Sequence, residues 1–283
     1  MLHPYFHDKI RIKYSKLEDV ENINDIVHPI VRESLKLVNL DNGIEIASIA
    51  DVPAGTGIGS SSSFTVSLLH ALYAYKSKYI SKEALAGKAC KIEIDILKEP
   101  IGKQDQYAAS YGGLNYIQFN SDGSVFVEPL LCDKDTKNTL SCNLLMFYVG
   151  NERKAGEILR EQNRNMDEQE KYVMVKKMVQ LTKELKDALS RGELNSLGEI
   201  LHQGWLLKKG LADVISNPVI DEYYEQGLKA GALGGKLLGA GGGGFLMFYC
   251  EPKYQDQLRK ALKLRELEFQ FDNEGAKLIY FGL

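Results

Sequence analysis

The stretch VPAGTGIGSSSSF, from Val52 to Phe64, is the most informative part of this chain, because alternating glycines and four serines run directly into an apolar segment. Its glycines allow positive φ angles and close backbone approach. The residues that follow, TVSLLHALYAY, carry apolar side chains at helical spacing. Backbone amides at the start of a helix favour an anion such as phosphate. We therefore predict a phosphate site at Pro53, Gly55, Gly57, Gly59, Ser60, Ser61 and Ser62, with a flexible linker as the alternative interpretation.

A second glycine-rich stretch, KLLGAGGGGF, begins at Lys236. It contains the spacing G-x-G-x-x-G, but the Rossmann motif needs a helix next, and FLMFYC indicates a buried strand. A P-loop is excluded because neither stretch contains G-x-x-x-x-G-K-[ST]. Four adjacent glycines cost backbone entropy on folding, which favours a role beyond a structural turn. We predict that the backbone of Gly239, Gly241, Gly242 and Gly243 also approaches phosphate groups.

These two stretches, with GKQDQYAASYGG (Gly102 to Gly113) between them, resemble the motifs of the GHMP small-molecule kinases, the group of galactokinase and mevalonate kinase. The resemblance implies an α+β fold of two domains. It implies a ribosomal-protein-S5-like N-terminal domain over residues 1–141 and a ferredoxin-like C-terminal domain over residues 142–283. It further implies transfer of the γ-phosphate of ATP, with Mg²⁺, to the anomeric hydroxyl of D-glycero-D-manno-heptose 7-phosphate.

Members of this family carry a first motif near the N-terminus, a proline and arginine followed by a glycine-rich turn and an aspartate. The opening residues here, MLHPYFHDKIRIKYSKLEDVENI, contain no such segment. We expect either that the sequence is a truncated copy or that this chain has given up part of its site.

The family pattern points to Ser61 and Glu93 as Mg²⁺ ligands, because this ion prefers hard oxygen ligands and keeps several waters. The alternative for Glu93 is a solvated helix face like that of the neighbouring Asp95. The same pattern points to Asp105 as the general base or hydroxyl-orienting group. The alternative for Asp105 is a helix N-cap, for which aspartate is a favoured residue.

A phosphorylated sugar also needs cationic and polar contacts. Arg153 and Lys154 follow a strand predicted from LLMFYV, and we predict that Arg153 binds the substrate. Gln106, which follows Asp105, and Lys103, two residues before it, are further substrate candidates. Among the cationic residues, Lys103 and Lys208 are weaker candidates than Arg153 and Lys154. For any single lysine, solvation at the surface is the competing interpretation.

Composition limits the other function classes. The 283 residues carry a net charge of −3, and no basic stretch is interleaved with aromatic residues, so we expect no nucleic-acid partner. No apolar run reaches membrane-spanning length and no signal peptide is evident, so we expect a cytoplasmic protein without a membrane partner. Four separated cysteines, with no CxxC pair, indicate neither a zinc site nor a redox pair.

Apolar periodicity predicts helices over residues 20–38, after the serine loop, and from Ser81 to about Leu97, and two strands at the C-terminus. The motifs indicate the chemistry better than the substrate, so alternatives remain. One is a kinase for another sugar such as fucose. Others are a non-catalytic nucleotide or sugar sensor, and an ATP-independent module that only holds a phosphorylated ligand.

Overall fold

The computed structural model describes residues 1–53, 55–150 and 155–282, which form two compact units of mixed helices and strands. The first unit contains Met1–Pro53, Gly59–Gly113 and the described residues from Asp272 onward. The second contains the short segment that ends at Ile58 and the residues Leu114–Phe271. The predicted boundary lay between residues 141 and 142, so both the division and its position differ from that expectation.

The first unit places helices against a four-stranded sheet of order β1-β4-β2-β3. Strands β2 and β4 are parallel, and the other two pairs are antiparallel. Isoleucines of β2 and β4 pack with apolar residues of α1 and α2 in one buried cluster. The elements are β1 (Leu2–Pro4), β2 (Ile10–Lys13), β3 (Leu17–Val20), α1 (Pro29–Val38), β4 (Ile44–Ala47), α2 (Ser60–Tyr75), α3 (Lys82–Cys90) and α4 (Gln104–Tyr111).

Helix α1 is shorter than the apolar pattern predicted. Residues of the expected first turns form β3 and a 3₁₀ turn, Ile23–Asp25. Proline disfavours helical backbone angles in the residue before it and is well tolerated as the first helical residue. His28 is accordingly extended and the helix begins at Pro29. The helix ends at Asn39, whose left-handed conformation lets its amide donate to the carbonyls of Leu35 and Lys36.

Helix α2 occupies the middle of the first unit. One side joins the cluster that covers the sheet, and the other packs against α3 and the turn after it. That turn, Lys91–Ile96, is π-helical and continues α3, so the helix predicted from Ser81 to about Leu97 is present with a change of winding. The first turn of α2 therefore rests on helices that belong to its own unit.

The second unit is built on an antiparallel sheet of order β10-β7-β9-β8, with a separate hairpin of β5 and β6. Its core contains the fully buried Trp205, Phe147 and Phe248. The elements are β5 (Asn115–Phe119), β6 (Val125–Pro129), α5 (Lys134–Asn143), β7 (Leu144–Gly150), α6 (Ala155–Asn165), α7 (Gln169–Ser190), α8 (Asn195–Lys209), α9 (Pro218–Lys229), β8 (Gly234–Leu237), β9 (Gly244–Tyr249), α10 (Pro252–Leu262) and β10 (Arg265–Leu267).

Packing explains why residues 114–141 group with the second unit. Leu114 contacts the buried cluster of Leu140, Leu197 and Tyr249. The hairpin is also held to α7, since Lys186 Nζ lies 2.7 Å from a carboxylate oxygen of Glu128. Sequence patterning alone could not detect these contacts, because each joins residues that are distant along the chain.

The C-terminal residues differ from prediction in a second way. The described residues after β10 contain no further strand, although two terminal strands were expected. From Asp272 the chain packs within the first unit, where the amide of Gly113 donates to the Asp272 carbonyl at 2.6 Å. The amide of Ala276 likewise donates to the carbonyl of Ala109 at 2.9 Å. These bonds use backbone groups that a strand would have placed in a sheet.

Candidate active site

The serine loop leads into helix α2 through a glycine. Gly59 has φ +72°, a left-handed conformation that L side chains rarely adopt, and α2 begins at Ser60. No side chain caps this helix. The first amides of an α-helix have no intrahelical acceptor, so they favour an anion here. Thr56 in the same loop is 1% exposed, which excludes the flexible-linker interpretation.

The two glycine-rich stretches meet at Gly57 and Gly239, both within the second unit. A Cβ atom placed on Gly239 would lie 2.4 Å from Gly57 Cα, and one placed on Gly57 would lie 2.7 Å from the Leu238 carbonyl oxygen. Both residues also have positive φ angles, 82° and 70°. Only glycine satisfies both conditions. We call this meeting of Gly57 with Leu238 and Gly239 the glycine contact.

The glycine-rich turn between β8 and β9 is held in place by backbone hydrogen bonds. The amide of Leu238 donates to the carbonyl of Phe245, and the amide of Gly242 donates to that of Ile215, both at 2.9 Å. The Gly242 N–H is thus already used, which leaves Gly239, Gly241 and Gly243 of the predicted set as candidates for amide contacts to phosphate. Lys208 Nζ donates to the Gly239 carbonyl at 2.5 Å and places a cation beside this turn.

In the first unit, the two predicted magnesium ligands lie together. Ser61 Oγ donates to Glu93 Oε1 at 2.7 Å, and Gln106 Nε2 donates to Glu93 Oε2 at 2.7 Å. We call Ser61, Glu93, Asp105 and Gln106 the carboxylate group. Glu93 is 1% exposed, so the solvated-face alternative is wrong for it, while Asp95 is indeed exposed.

Local winding explains how Glu93 becomes buried. It lies in the π-helical turn, where the amide of Leu97 donates to the carbonyl of Ile92 and that of Glu99 to Glu93. Such single π turns are frequent at functional sites because they redirect side chains. The neighbouring Ile92 packs with Leu85 and Ala89 in a buried apolar cluster, and burial raises the pKa of the nearby Cys90 thiol to about 11.

The donor set fits a divalent cation. Among the described residues, Glu93 has no ion-pair partner recorded, and a buried carboxylate without a cation is costly. Ser61 Oγ and Glu93 Oε1, which lie 2.7 Å apart, are both hard oxygen atoms of the kind that would hold Mg²⁺. The described residues contain no cluster of three or more His, Cys, Asp and Glu side chains suited to a metal. A hydroxyl with a single carboxylate therefore matches an ion that retains water and phosphate ligands.

Asp105 lies beside the start of α2. A Cβ atom placed on Gly59 would be 3.2 Å from Asp105 Oδ2, so the carboxylate packs directly against this glycine. Helix α4 begins at Gln104 with Lys103 as its N-cap, and Asp105 lies inside the first turn. The alternative role of Asp105 as an N-cap is therefore wrong. Asp105 is exposed, unlike Glu93 and Gln106, and so can meet a ligand from solvent.

The remaining predicted site residues differ in how exposed they are and in which groups they contact. Gln106 is fully buried and bound to Glu93, a placement that does not offer its side chain to a sugar. Lys103 is partly exposed, and its charge lowers the pKa of Cys90 against the larger effect of burial. Arg153 and Lys154 lie outside the described residues. In the serine loop, Pro53 and Gly55 are exposed, Ser60 is partly exposed and Ser62 is buried.

Two residues that contact the glycine-rich turn could not be identified from the sequence. Thr56 approaches the second stretch, since a Cβ atom on Gly244 would lie 2.2 Å from its carbonyl oxygen. Ile215 supplies the carbonyl that binds Gly242. Both act through the backbone, which any residue type supplies. Only the long-range pairing reveals them.

A pocket of about 580 Å³ lies elsewhere in the second unit, beside β10. Gln255, Arg259 and Glu266 are among its lining residues, and none of the predicted site residues is. The guanidinium of Arg259 already binds both carboxylate oxygens of Glu266, at 2.7 and 2.9 Å. This pocket therefore does not contain the candidate site, which is identified by the chemistry of the carboxylate group.

Comparison with known proteins agrees with the motifs. The model for the N-terminal domain of GHMP kinases matches residues 25–113, and the model for their C-terminal domain matches residues 185–266. D-glycero-alpha-D-manno-heptose 7-phosphate kinase of Campylobacter jejuni is 30% identical over 231 residues, which cover 81% of this chain and 68% of that protein. The chain belongs to the GHMP kinase family. Its predicted class, a phosphotransferase with an alcohol group as acceptor, is confirmed.

Other relatives show how broad this family is. Mevalonate kinase of Thermococcus onnurineus is 25% identical over 245 residues, covering 83% of this chain and 69% of that protein. The crystal structure of a D-glycero-D-manno-heptose 1-phosphate kinase from Bacteroides thetaiotaomicron has a TM-score of 0.75 at 24% identity, covering 99% of this chain and 86% of that one. This likeness confirms the predicted two-domain α+β fold. Among the described residues, no helix has the length and apolar character needed to cross a bilayer.

Proposed function

We propose that this chain is a sugar kinase that uses ATP and Mg²⁺ to phosphorylate the anomeric hydroxyl of D-glycero-D-manno-heptose 7-phosphate. The observation that carries the proposal is the carboxylate group, in which an exposed carboxylate, a buried carboxylate and a serine hydroxyl cluster at the first turn of α2. The name of the Campylobacter jejuni relative supports the choice of substrate.

Phosphate binding is assigned to backbone and to one lysine. The open amides at the start of α2, in the first unit, are suited to phosphate oxygens, and the glycine-rich turn of the second unit is suited to them independently. Lys208, held at the Gly239 carbonyl, adds positive charge where no P-loop lysine exists. Mg²⁺ held by Ser61 Oγ and Glu93 Oε1 would neutralise charge on the phosphate oxygens.

Asp105 is assigned to the acceptor hydroxyl. Its carboxylate accepts the hydroxyl proton as the sugar oxygen forms a bond to the γ-phosphorus. The bond between that phosphorus and the β–γ bridging oxygen breaks, and ADP leaves with the electron pair. A Cβ atom at position 59 would lie 3.2 Å from Asp105 Oδ2, so glycine at this position leaves room for the carboxylate.

The proposal is tested by ADP release on a panel of acceptors. We expect turnover with D-glycero-D-manno-heptose 7-phosphate and ³¹P NMR signals from a sugar 1,7-bisphosphate. The panel includes fucose, because a bifunctional fucokinase of Arabidopsis thaliana is 27% identical over 228 residues. Turnover with fucose alone would favour that second candidate. ATP binding in a thermal-shift assay without turnover on any acceptor would instead support the non-catalytic sensor.

A further inference from the structure

The side chain of Gln106 is directed toward Glu93. Its side chain is fully buried, and its amide nitrogen lies 2.7 Å from Glu93 Oε2. An ionised carboxylate only accepts hydrogen bonds, so the NH₂ group must face Glu93 and the carbonyl must face away. Gln106 Oε1 is buried and has no hydrogen-bond partner recorded among the described residues.

The two oxygens of Glu93 are therefore held differently. Oε2 is bound by a buried amide that has little freedom to leave, whereas Oε1 is bound by the hydroxyl of the exposed Ser61. A hydroxyl rotates freely and can turn its proton away when a cation arrives. The amide bond thus fixes the plane of the carboxylate and leaves Oε1 as the oxygen that faces a cation.

We propose that Gln106 is a positioning residue for the cation site and makes no contact with the sugar. It holds Glu93 Oε2 so that Glu93 Oε1 and Ser61 Oγ are presented together. Groups that orient a metal ligand in this way typically carry much of a site's affinity. This inference rests on the proposed function, since it concerns the cation site of that kinase. It replaces the sequence-based assignment of Gln106 to the substrate.

Helix α4 gives the inference a mechanistic consequence. Asp105 and Gln106 are consecutive in its first turn, and one is exposed while the other is buried. The same turn therefore presents the proposed base outward and steadies the cation ligand inward. A shift of this turn would disturb the base and the cation site at once.

The test compares Gln106→Met with Gln104→Met. The first keeps length and approximate volume but removes the donor to Glu93, and the second makes the same change at an exposed position of α4. Mn²⁺ alone is titrated into each protein, with the free-ion EPR signal as the readout. We expect Gln106→Met to weaken Mn²⁺ binding about 10- to 100-fold. It should raise the Mg²⁺ requirement of turnover and leave KM for the sugar phosphate unchanged, whereas Gln104→Met should match the unsubstituted protein.

Other outcomes overturn the inference. A raised KM for the sugar with unchanged Mn²⁺ affinity would make Gln106 a substrate contact, and no change in either would make it a packing residue. Mn²⁺ binding by the unsubstituted protein without kinase activity on any acceptor would reject the proposed function alone. If Gln106→Met fails to fold, the inference is tested by anomalous diffraction from crystals of the unsubstituted protein soaked in Mn²⁺. Manganese at Ser61 Oγ and Glu93 Oε1 with the Gln106 amide still on Oε2 supports the inference, and manganese elsewhere rejects it.

Discussion

The glycine contact and the carboxylate group are built from opposite materials. In the glycine contact, backbone atoms of residues 57 and 239 are too close for any side chain between them. In the carboxylate group, the geometry is carried by side chains, because Ser61 and Gln106 each donate to a different carboxylate oxygen of Glu93 at 2.7 Å. The glycine contact thus depends on the absence of side chains, whereas the carboxylate group depends on polar side-chain atoms.

Substitutions in the two regions therefore test different roles. Adding atoms to the glycine contact forces the backbone to move, so shape, stability and binding change together. Replacing an oxygen by a nitrogen in the carboxylate group removes charge and leaves volume almost unchanged. The serine loop contributes to both regions, Gly57 to the first and Gly59 and Ser61 to the second, so the comparison can be made within one loop.

The largest expected effect comes from Asp105→Asn. The amide cannot accept the hydroxyl proton, so we expect kcat to fall about 10²- to 10⁴-fold. Because Asp105 is exposed, the melting temperature should change by little. Steady-state ADP release and thermal unfolding measure the two quantities.

Asp95→Asn is the matched control, since it makes the same change at an exposed position near Glu93. It should leave both kcat and the melting temperature unaltered. Near-normal turnover in Asp105→Asn would remove Asp105 from the mechanism, and equal losses in the two variants would point to a general charge effect.

The next effect in size concerns the glycine contact. Gly239→Ala adds a methyl group 2.4 Å from Gly57 Cα at a positive φ angle. Left-handed backbone strain and overpacking together should lower the free energy of unfolding by about 3 kcal/mol. We also expect weaker ATP binding, because the displaced loop carries the amides assigned to phosphate. Urea unfolding and nucleotide titration measure these changes.

Gly192→Ala separates the effect of left-handed backbone strain from the effect of overpacking. Gly192 also has a positive φ angle, but a Cβ atom there would meet nothing within 4 Å. It should lose about 1 kcal/mol from backbone strain alone and keep its affinity for ATP. If the two variants were equally stable, close approach would not be what requires glycine at position 239.

Much of this molecule was predictable because its signals are local. The helix after the serine loop follows from apolar spacing, and the strand after the second glycine-rich stretch follows from the run FLMFYC. Motif order also predicted the two-domain α+β fold. The residues Ser61, Glu93 and Asp105 were chosen by family pattern, and their catalytic and metal-binding roles remain predictions.

What could not be predicted depends on long-range packing. The burial of Glu93 results from a π-helical turn, and KIEIDI is equally consistent with an ordinary helix that exposes it. Gln106 was assigned to the sugar because it adjoins Asp105, yet consecutive helical residues point in different directions. The compact units differ from the predicted domains because the packing of Leu114 with Leu140, Leu197 and Tyr249 is not encoded in any local pattern.

The smallest expected effect tests whether a side chain also serves the glycine contact. Lys208→Met keeps the aliphatic part and removes the charge that lies 2.5 Å from the Gly239 carbonyl. We expect KM for ATP to rise about fivefold, equivalent to about 1 kcal/mol, with a weaker salt dependence. Lys229→Met removes a charge from an exposed position of α9 and should leave KM unchanged. An unaltered KM in Lys208→Met would mean that the lysine charge does not help to bind ATP. Backbone amides alone would then bind the phosphates, and no side chain would serve the glycine contact.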